Sequence, residues 1–206
     1  QGAPGVARRI LIFGGSFNPI HQGHLALARY ARDELGFDRV LFVPNGDRYP
    51  KPDLAPARDR LAMAVAAVHG EPGFEVLDLE ATSEVPVCTV ETVSELRRRF
   101  PHDALTLLRG ADALPRTHRR LFALEGLRVL VVDRAGASAL ETLLSAHAHL
   151  ARHRDRIDHD AGFSHPLSAS EVRRRVAAGE PIDTLVPPRV AELIAARGLY
   201  RSGAGR

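Results

Sequence analysis

The sequence predicts an α/β fold in which an open parallel sheet carries helices on both of its faces. Short, unbroken apolar runs such as residues 10–13 are typical of strands that are covered on both faces of a parallel sheet. These runs end in turns that contain glycine or proline, and segments with helical spacing follow them. Five such repeats, joined by right-handed crossovers, predict one sheet within a single domain over residues 1–206.

Composition limits the class of protein. The 206 residues, of which 45% are hydrophobic, are enough to bury a substantial core. No apolar run approaches the length of a membrane span, and no secretory signal pattern is visible. The single cysteine, Cys88, excludes an intrachain disulfide and fits a reducing compartment. We therefore expect a soluble, cytoplasmic protein.

Charge and histidine content point to no macromolecular partner and no metal. The net charge is only +3, and the arginines are interleaved with 25 acidic residues. We therefore expect no nucleic-acid surface and favour small anionic substrates, while association into a homo-oligomer is left open. His147, His149 and His153 are close in sequence, but neither cysteines nor a metal-binding spacing accompany them. We predict no dedicated metal site.

The first strand, turn and helix form the most informative stretch. Residues 10–13 run into Gly14 and Gly15, whose missing Cβ atoms let the backbone approach a ligand closely. Parallel sheets bind ligands at the carboxyl ends of their strands. His21 and His24 follow at the start of the next helix, where free N–H groups and the helix dipole favour an anion. Side chains three residues apart can face one object there, and we expect a phosphate.

The alternative is that the two glycines only form a tight turn and that both histidines cap or solvate the helix. The complete string over residues 14–24, GGSFNPIHQGH, argues against this. It lacks the Gly-Lys-Ser/Thr of a Walker A loop and the spaced glycines of dehydrogenases. The string resembles the signature of the nucleotidylyltransferase superfamily, in particular of the bacterial nicotinate-mononucleotide adenylyltransferases. The resemblance implies a Rossmann-like sheet of the nucleotidylyltransferase type.

The remaining elements follow from the same patterns. Apolar or alternating runs indicate strands, and apolar residues spaced by three or four, closed by glycine, indicate helices. The predicted elements are a helix from residue 23 to Gly36, a strand at 39–43, a helix at 58–69, a strand at 74–79, a helix with Thr89 as its N-cap, strands at 104–108 and 127–132, and helices at 138–150 and from Ser168 to Gly179. The polar run 151–160 gives no prediction.

A second phosphate-binding pattern lies in the C-terminal helical part, residues 160–200. Ser168 and Glu171 have the spacing of a capping box. The free N–H groups of this helix start and the nearby Arg173 predict a second anion site, although a capped, basic surface helix is the alternative. The segment resembles the ISSTxIR motif of the same family. The resemblance implies that Arg173, Ser168 and Ser170 bind the phosphates of ATP.

The resemblance covers nearly the whole chain and assigns a full set of site residues. It implies His21, His24 and Arg173 as catalytic residues; Gly14, Gly15, Ser16, Phe17, Gly110, Asp112, Ser168 and Ser170 as ATP-binding residues; and Lys51, Cys88, Thr89, Thr92 and Arg134 as acceptor-binding residues. No metal ligand is among them.

Three of these assignments have ordinary structural alternatives. Lys51 would contact a phosphate or be a solvated loop lysine. Asp112, two residues after a strand end, would accept hydrogen bonds from ribose hydroxyls or cap the next helix. Arg134 would contact the substrate phosphate or be a surface arginine.

The aromatic residues around the acceptor depart from the family pattern. Cys88 stands where the family usually has tyrosine, and the chain has no tryptophan, although the family stacks one on the pyridine ring. Stacking on an aromatic side chain contributes about 1–3 kcal/mol per base. Either Tyr49, Phe122 or His118 supplies the ring that stacks on the acceptor, or the natural acceptor differs from that of the family.

The resemblance implies transfer of AMP from ATP to nicotinate mononucleotide, which yields nicotinate adenine dinucleotide and pyrophosphate in NAD biosynthesis. The attacking phosphate is already anionic at neutral pH, so the reaction needs positioning and positive charge rather than a general base. We expect ATP as a substrate, with Mg²⁺ entering on its phosphates. The alternatives are another acceptor, such as nicotinamide mononucleotide or phosphopantetheine, and a non-catalytic nucleotide-binding module.

Overall fold

The structure, a computed structural model, describes residues 7–47, 53–132 and 137–201. Lys51, Arg134 and Tyr49 lie outside the described residues, so their predicted roles stay predictions. Within these ranges, no helix is both long and apolar enough to cross a bilayer.

Strands and helices alternate along most of the described chain. The strands are β1 (Arg9–Gly15), β2 (Arg39–Pro44), β3 (Phe74–Val76), β4 (Ala104–Gly110), β5 (Arg128–Val132) and β6 (Ile157–Asp160). The α-helices are α1 (Gln22–Asp33), α2 (Ala57–Val68), α3 (Thr89–Arg99), α4 (Ala137–Ala146), α5 (Ala148–Ala151), α6 (Ala169–Ala178) and α7 (Pro188–Arg197). Short 3-10 helices lie at Leu114–Arg116, Arg119–Ala123 and Arg154–Arg156.

The six strands form one sheet in the order β3-β2-β1-β4-β5-β6. The pairs β1–β4, β4–β5 and β5–β6 are parallel, with Ile10 opposite Leu105 and Leu107 opposite Val129. These strand residues are almost completely buried, in agreement with their unbroken apolar sequence. The predicted α/β fold with an open parallel sheet is confirmed.

Several predicted boundaries are wrong. The strand expected at 74–79 is only three residues long, and the helix expected at 138–150 is two helices, α4 and α5. Thr89 is the first residue of α3 rather than its N-cap. The N-cap is Cys88, whose backbone N–H donates to the carboxylate of Glu91 at 2.7 Å.

The sixth strand was not predicted. β6 has a polar sequence, and only Ile157 in it is fully buried. The strand lies at the edge of the sheet, so it needs fewer apolar contacts than the central strands. Asp158 pairs with Arg128 of the neighbouring strand at 2.7 Å, so a cross-strand ion pair takes the place of apolar packing.

The chain divides into two compact units, and β1 and β2 contribute residues to both. The first unit contains the described residues up to Phe13 together with residues 31–40 and 88–164. One of its apolar cores consists of Leu114, Phe122, Val129, Val131, Leu140, Leu144, Leu150 and Ile157. The single domain expected over residues 1–206 stays a prediction.

The second unit contains residues 14–30 and 41–87 and the described residues from His165 onward. Its interior includes a chain of aromatic rings in which Phe42 lies 5.8 Å from Phe17 and 5.5 Å from Phe74, measured between ring centroids. This unit holds both predicted phosphate motifs.

Candidate active site

The loop that follows β1 is built around Phe17. Gly14 and Gly15 end the strand, and a Cβ on Gly15 would lie 3.5 Å from the ring of Phe17. Phe17 is 2% exposed and has a left-handed φ of 45°. Its ring meets that of His24 edge-on, with 5.0 Å between the centroids. Phe17 therefore packs in the interior and supports His24, while its contact with ATP stays a prediction.

His21 and His24 lie against each other at the start of α1. Their rings are stacked, with 3.7 Å between the centroids and 29° between the planes. The Nδ1 atom of His21 accepts a hydrogen bond from the N–H of Gly23 at 3.0 Å. The Nδ1 atom of His24 accepts one from the N–H of His21 at 3.1 Å. Because both Nδ1 atoms are acceptors, the neutral rings carry their protons on Nε2.

Both imidazoles are neutral at pH 7. Burial, with a smaller contribution from the neighbouring His165, lowers the pKa of His21 to about 4. Burial, with a contribution from His21, lowers the pKa of His24 to about 3. Protonation of either Nδ1 atom would also break its hydrogen bond with the backbone. The pair therefore presents neutral Nε2–H donors near a helix N-terminus, where an anion is favoured.

Asn18 connects this loop to three other segments of the same unit. Its Nδ2 atom donates to the carbonyl of Asp53 at 3.0 Å. Its Oδ1 atom accepts from the N–H of Ala55 at 3.0 Å and from the hydroxyl of Tyr200 at 2.7 Å. Its backbone carbonyl accepts from the guanidinium of Arg173 at 2.8 Å. Because Asn18 is only 8% exposed, this network is shielded from water and fixes the loop.

Arg60 is a fully buried arginine that contacts the same loop. Its guanidinium donates to the carbonyls of Ser16 at 2.7 Å and Ala55 at 2.8 Å, and it pairs with Asp47 at 2.9 Å. Asp47 also accepts from the N–H of Ala57, the first residue of α2, at 3.1 Å. A buried charge needs such partners to offset its desolvation. Arg60 thereby joins the loop after β1 to the segment before α2.

The second predicted motif begins α6. Ser168 is the N-cap, its hydroxyl accepts from the N–H of Glu171 at 3.3 Å, and the helix ends at Gly179 with a left-handed φ of 68°. These boundaries agree with the prediction. The predicted capping box does not, because the Glu171 carboxylate binds Arg174 at 2.9 Å and Arg175 at 2.8 Å. Two nearby guanidinium groups hold this carboxylate on the outer face of the helix.

Arg173 extends from α6 to the loop after β1. One nitrogen of its guanidinium donates to the Asn18 carbonyl, and another donates to the hydroxyl of Ser170 at 3.3 Å. The N–H of Gln22 in α1 donates to the carbonyl of Leu185 at 2.8 Å. The two motifs, about 145 residues apart in sequence, are therefore in direct contact.

A cavity of about 530 Å³ lies beside Arg173. Its lining includes the segment 53–56, which contributes one carboxylate, and the hydroxyl-bearing Ser170. Arg174 and Arg201 also line it, although the guanidinium of Arg174 is paired with Glu171 and Glu180, each at 2.9 Å. The guanidinium groups of Arg173 and Arg201 and the Ser170 hydroxyl supply donors that suit a polyphosphate.

Comparisons with known proteins identify the family. The chain matches the cytidylyltransferase-like family over residues 12–175. It is 38% identical to a Rubrobacter xylanophilus protein named "Probable nicotinate-nucleotide adenylyltransferase", with 96% of this chain and 94% of that protein covered. A protein of the same name from Neisseria meningitidis serogroup B is 35% identical, with 94% and 98% covered. The chain belongs to the nicotinate-nucleotide adenylyltransferase family.

A solved structure has a fold similar to that of this chain. The structure of Plasmodium falciparum nicotinic acid mononucleotide adenylyltransferase complexed with NaAD has a TM-score of 0.66 and is 18% identical. The match covers 94% of this chain and 97% of that one. At this identity the similarity concerns the fold alone. The family membership itself confirms the resemblance and the predicted nucleotidyltransferase class of enzyme.

Three of the five predicted acceptor-binding residues, Cys88, Thr89 and Thr92, lie at the start of α3, in the first unit. Cys88 is the N-cap, Thr89 opens the helix, and Thr92 is 3% exposed. Arg109, at the end of β4, places its guanidinium 3.4 Å from the hydroxyl of Thr89. The sequence did not single out Arg109, which brings a positive charge to the predicted acceptor residues. Their binding roles stay predictions.

Gly110 and Asp112 also lie in the first unit. A Cβ on Gly110 would lie 2.7 Å from the Oδ1 atom of Asp112, so the carboxylate lies close over this glycine. The next helix, Leu114–Arg116, has Ala113 as its N-cap. The alternative that Asp112 caps that helix is therefore wrong, and its predicted contact with ribose remains to be tested.

Two of the three rings considered for the acceptor are described. Phe122 is 4% exposed, belongs to the apolar core and stacks on His153 with 4.5 Å between centroids. Its ring therefore packs inside the core and is not accessible to a ligand. His118 is exposed and caps a 3-10 helix by accepting from the N–H of Arg120 at 3.1 Å. Of these two, His118 is the one available to a ligand.

The histidines of the region 147–165 have separate surroundings. His147 and His149 meet edge-on with 6.0 Å between centroids, whereas His153 stacks on Phe122. Over the described residues, no group of three or more histidine, cysteine, aspartate or glutamate side chains is arranged to hold a metal ion. His165 is instead a neighbour of His21.

Sequence reasoning missed four residues of the second unit that support the site: Asn18, Arg60, His165 and Tyr200. Asn18 lies inside the signature string, so the sequence carried a signal for it. Arg60 carried none, because an arginine on a helix is ordinarily solvated.

Proposed function

We propose that this chain transfers the adenylyl group of ATP to nicotinate mononucleotide, forming nicotinate adenine dinucleotide and pyrophosphate as a step of NAD biosynthesis. The observation that carries the proposal is the contact between the two motifs, in which Arg173 hydrogen-bonds to the loop that holds His21 and His24. The names of the relatives support the choice of acceptor.

The two histidines act as neutral donors in this reaction. The phosphate of the acceptor attacks the α-phosphorus of ATP, and negative charge develops on the oxygens around that phosphorus. Nε2–H donors held by stacking and by backbone hydrogen bonds need no reorganisation to bind those oxygens. A neutral imidazole also avoids the cost of burying a charge before ATP arrives.

Positive charge comes from α6. Arg173 holds the departing β- and γ-phosphates with the hydroxyls of Ser168 and Ser170, next to the N–H groups at the helix start. The arginine-lined cavity beside it has room for the pyrophosphate product. Catalysis is then mainly positioning and charge stabilisation.

Mg²⁺ enters with ATP in this proposal. The donors of the site are imidazoles, hydroxyls and guanidinium groups, which do not form the oxygen cage that Mg²⁺ requires. The ion would be held by the phosphate oxygens, whose charge it neutralises. We further propose that the enzyme works in the cytoplasm, because a chain with one cysteine fits a reducing compartment.

The test is release of pyrophosphate from Mg-ATP with nicotinate mononucleotide, nicotinamide mononucleotide and phosphopantetheine in parallel, with the mass of each product determined. We expect nicotinate adenine dinucleotide as the main product. Preference for another acceptor would show that nicotinate mononucleotide is not the substrate. Absence of pyrophosphate release with all three acceptors would refute the proposed enzymatic function.

Two variants examine the role given to His21. In His21→Asn, the new Oδ1 atom can accept the Gly23 N–H bond in an Asx turn, but the Nε2–H donor is lost. We expect kcat to fall about 100-fold, by analogy with loss of one oxyanion donor. His102→Asn, an exposed turn position, is the matched control and should retain full activity.

A further inference from the structure

His165 lies beside the histidine pair, although it precedes α6 rather than belonging to the signature string. It is partly buried and stands three residues before the N-cap of α6. A Cβ on Gly23 would lie 2.9 Å from the Nδ1 atom of His21 and 3.1 Å from that of His165. These two nitrogen atoms are therefore within about 6 Å of each other.

The bonding of His165 repeats that of the other two histidines. Its Nδ1 atom accepts a hydrogen bond from the N–H of Leu167 at 3.2 Å. Backbone N–H groups thus bind Nδ1 of His21, His24 and His165 alike. Each neutral ring consequently carries its proton on Nε2, the atom directed away from the backbone bond.

The position of His165 places it between the two anion sites. Gly23 belongs to the first turn of α1, and Leu167 immediately precedes Ser168, the N-cap of α6. His165 is also the second cause, after burial, of the lowered pKa of His21. His165 therefore adjoins the start of α1 through Gly23 and the start of α6 through Leu167.

We propose that His165 is a third phosphate-binding imidazole, which donates from Nε2 to the phosphates of ATP together with His21 and His24. This inference rests on the proposed function for the identity of the ligand. It gives a binding role to the one member of the histidine-rich region 147–165 that adjoins the catalytic residues.

Two substitutions separate a binding role from a structural one. In His165→Asn, the new Oδ1 atom accepts the Leu167 N–H bond in an Asx turn, but no donor remains at the Nε2 position. In His165→Gln, the side-chain amide restores a donor near that position. His102→Asn, at an exposed turn, is the matched control.

The measurement is calorimetric titration of each purified full-length variant with inorganic pyrophosphate, together with its thermal unfolding. We expect Asn at this position to weaken pyrophosphate binding about tenfold, as loss of one hydrogen bond to a charged group implies, and Gln to retain binding within about threefold. Unchanged binding by the asparagine variant, or equal loss in both variants, would overturn the proposal.

This design keeps the two proposals distinguishable. Pyrophosphate binding needs no acceptor and no turnover. If no acceptor supports adenylyl transfer but the titrations follow the expected order, the proposed function fails and the phosphate-binding role of His165 stands. If His165→Asn transfers the adenylyl group at the normal rate and with an unchanged KM for ATP, the proposed role of His165 is refuted and the proposed function is supported.

Discussion

The hydroxyl of Tyr200 donates a hydrogen bond of 2.7 Å to the Oδ1 atom of Asn18, which lies 182 residues earlier in the chain. The same Oδ1 atom accepts from the N–H of Ala55. Burial raises the pKa of the Tyr200 hydroxyl above its usual range, so it remains a donor at any physiological pH. One amide side chain therefore connects the loop after β1 to the C-terminal segment.

Replacing either partner should weaken both the fold and the site. We expect Tyr200→Phe to lower the free energy of unfolding by about 1 kcal/mol, the net contribution of one hydrogen bond. Asn18→Ala should cost about 2–3 kcal/mol, because it leaves the Ala55 N–H without its acceptor. Urea unfolding measures both values. Equal stability of the tyrosine variant and the wild type would show that this bond does not contribute.

Gly23→Ala should destabilise the protein, although alanine normally favours a helix over glycine by about 1 kcal/mol. The new Cβ would lie 2.8 Å from Cε1 of His21 and 3.1 Å from Nδ1 of His165, so at least one ring must move. We expect a lower melting temperature and a large loss of pyrophosphate release. A melting temperature that rises, as helix propensity alone predicts, would contradict this packing argument.

Arg60→Met should lower the free energy of unfolding by about 2–3 kcal/mol, because the carbonyls of Ser16 and Ala55 lose their donor. The lost ion pair adds little, since the Asp47 side chain is 57% exposed and can be hydrated. Arg58→Met is the matched control on the same helix, because the Arg58 side chain is 86% exposed. The control should change stability by no more than about 0.5 kcal/mol in the same urea experiment. Similar effects in both variants would refute the anchoring role of Arg60.

The free energy of unfolding should fall as the pH is lowered from 7.5 to 5, because His21 and His24 have lowered pKa values in the folded protein. Their pKa values are about 4 and about 3 in the folded protein, below the ordinary value of 6.5. The unfolded chain therefore binds more protons in this range, so the stabilisation is complete above pH 6.5 and is lost as the pH falls toward 4. We expect a loss of about 2 kcal/mol for each ring by pH 5.

Urea unfolding at the two pH values measures this loss. His21→Asn and His24→Asn should each reduce the difference between the two pH values, whereas His102→Asn, at an exposed position, should leave it unchanged. A pH-dependent difference in stability that the His21 and His24 variants both retain in full would show that other groups cause the acid sensitivity.

Local patterns predicted the parts of the site that lie within one stretch of sequence. The strand, the glycine turn and the histidines are neighbours between residues 9 and 24, and the serine-capped helix is contained in residues 168–179. Each is determined by spacing, capping and backbone freedom over a few residues.

The missed features depend on partners far away in sequence. Arg60 reaches Ser16, 44 residues earlier, and Tyr200 reaches Asn18, so no local window contains both members of either pair. The N-cap of α3 was misplaced by one residue because threonine is the better cap in general, whereas here Glu91 binds the N–H of Cys88.

The placement of Cys88 has a practical consequence. The chain contains one cysteine, and it is the N-cap of α3, next to the threonines expected to hold the acceptor. A small thiol reagent would consequently modify a single defined site, without prior engineering to remove other thiols. A bound acceptor should shield this thiol, so the rate of modification would report acceptor binding separately from ATP binding and would show which substrate binds first.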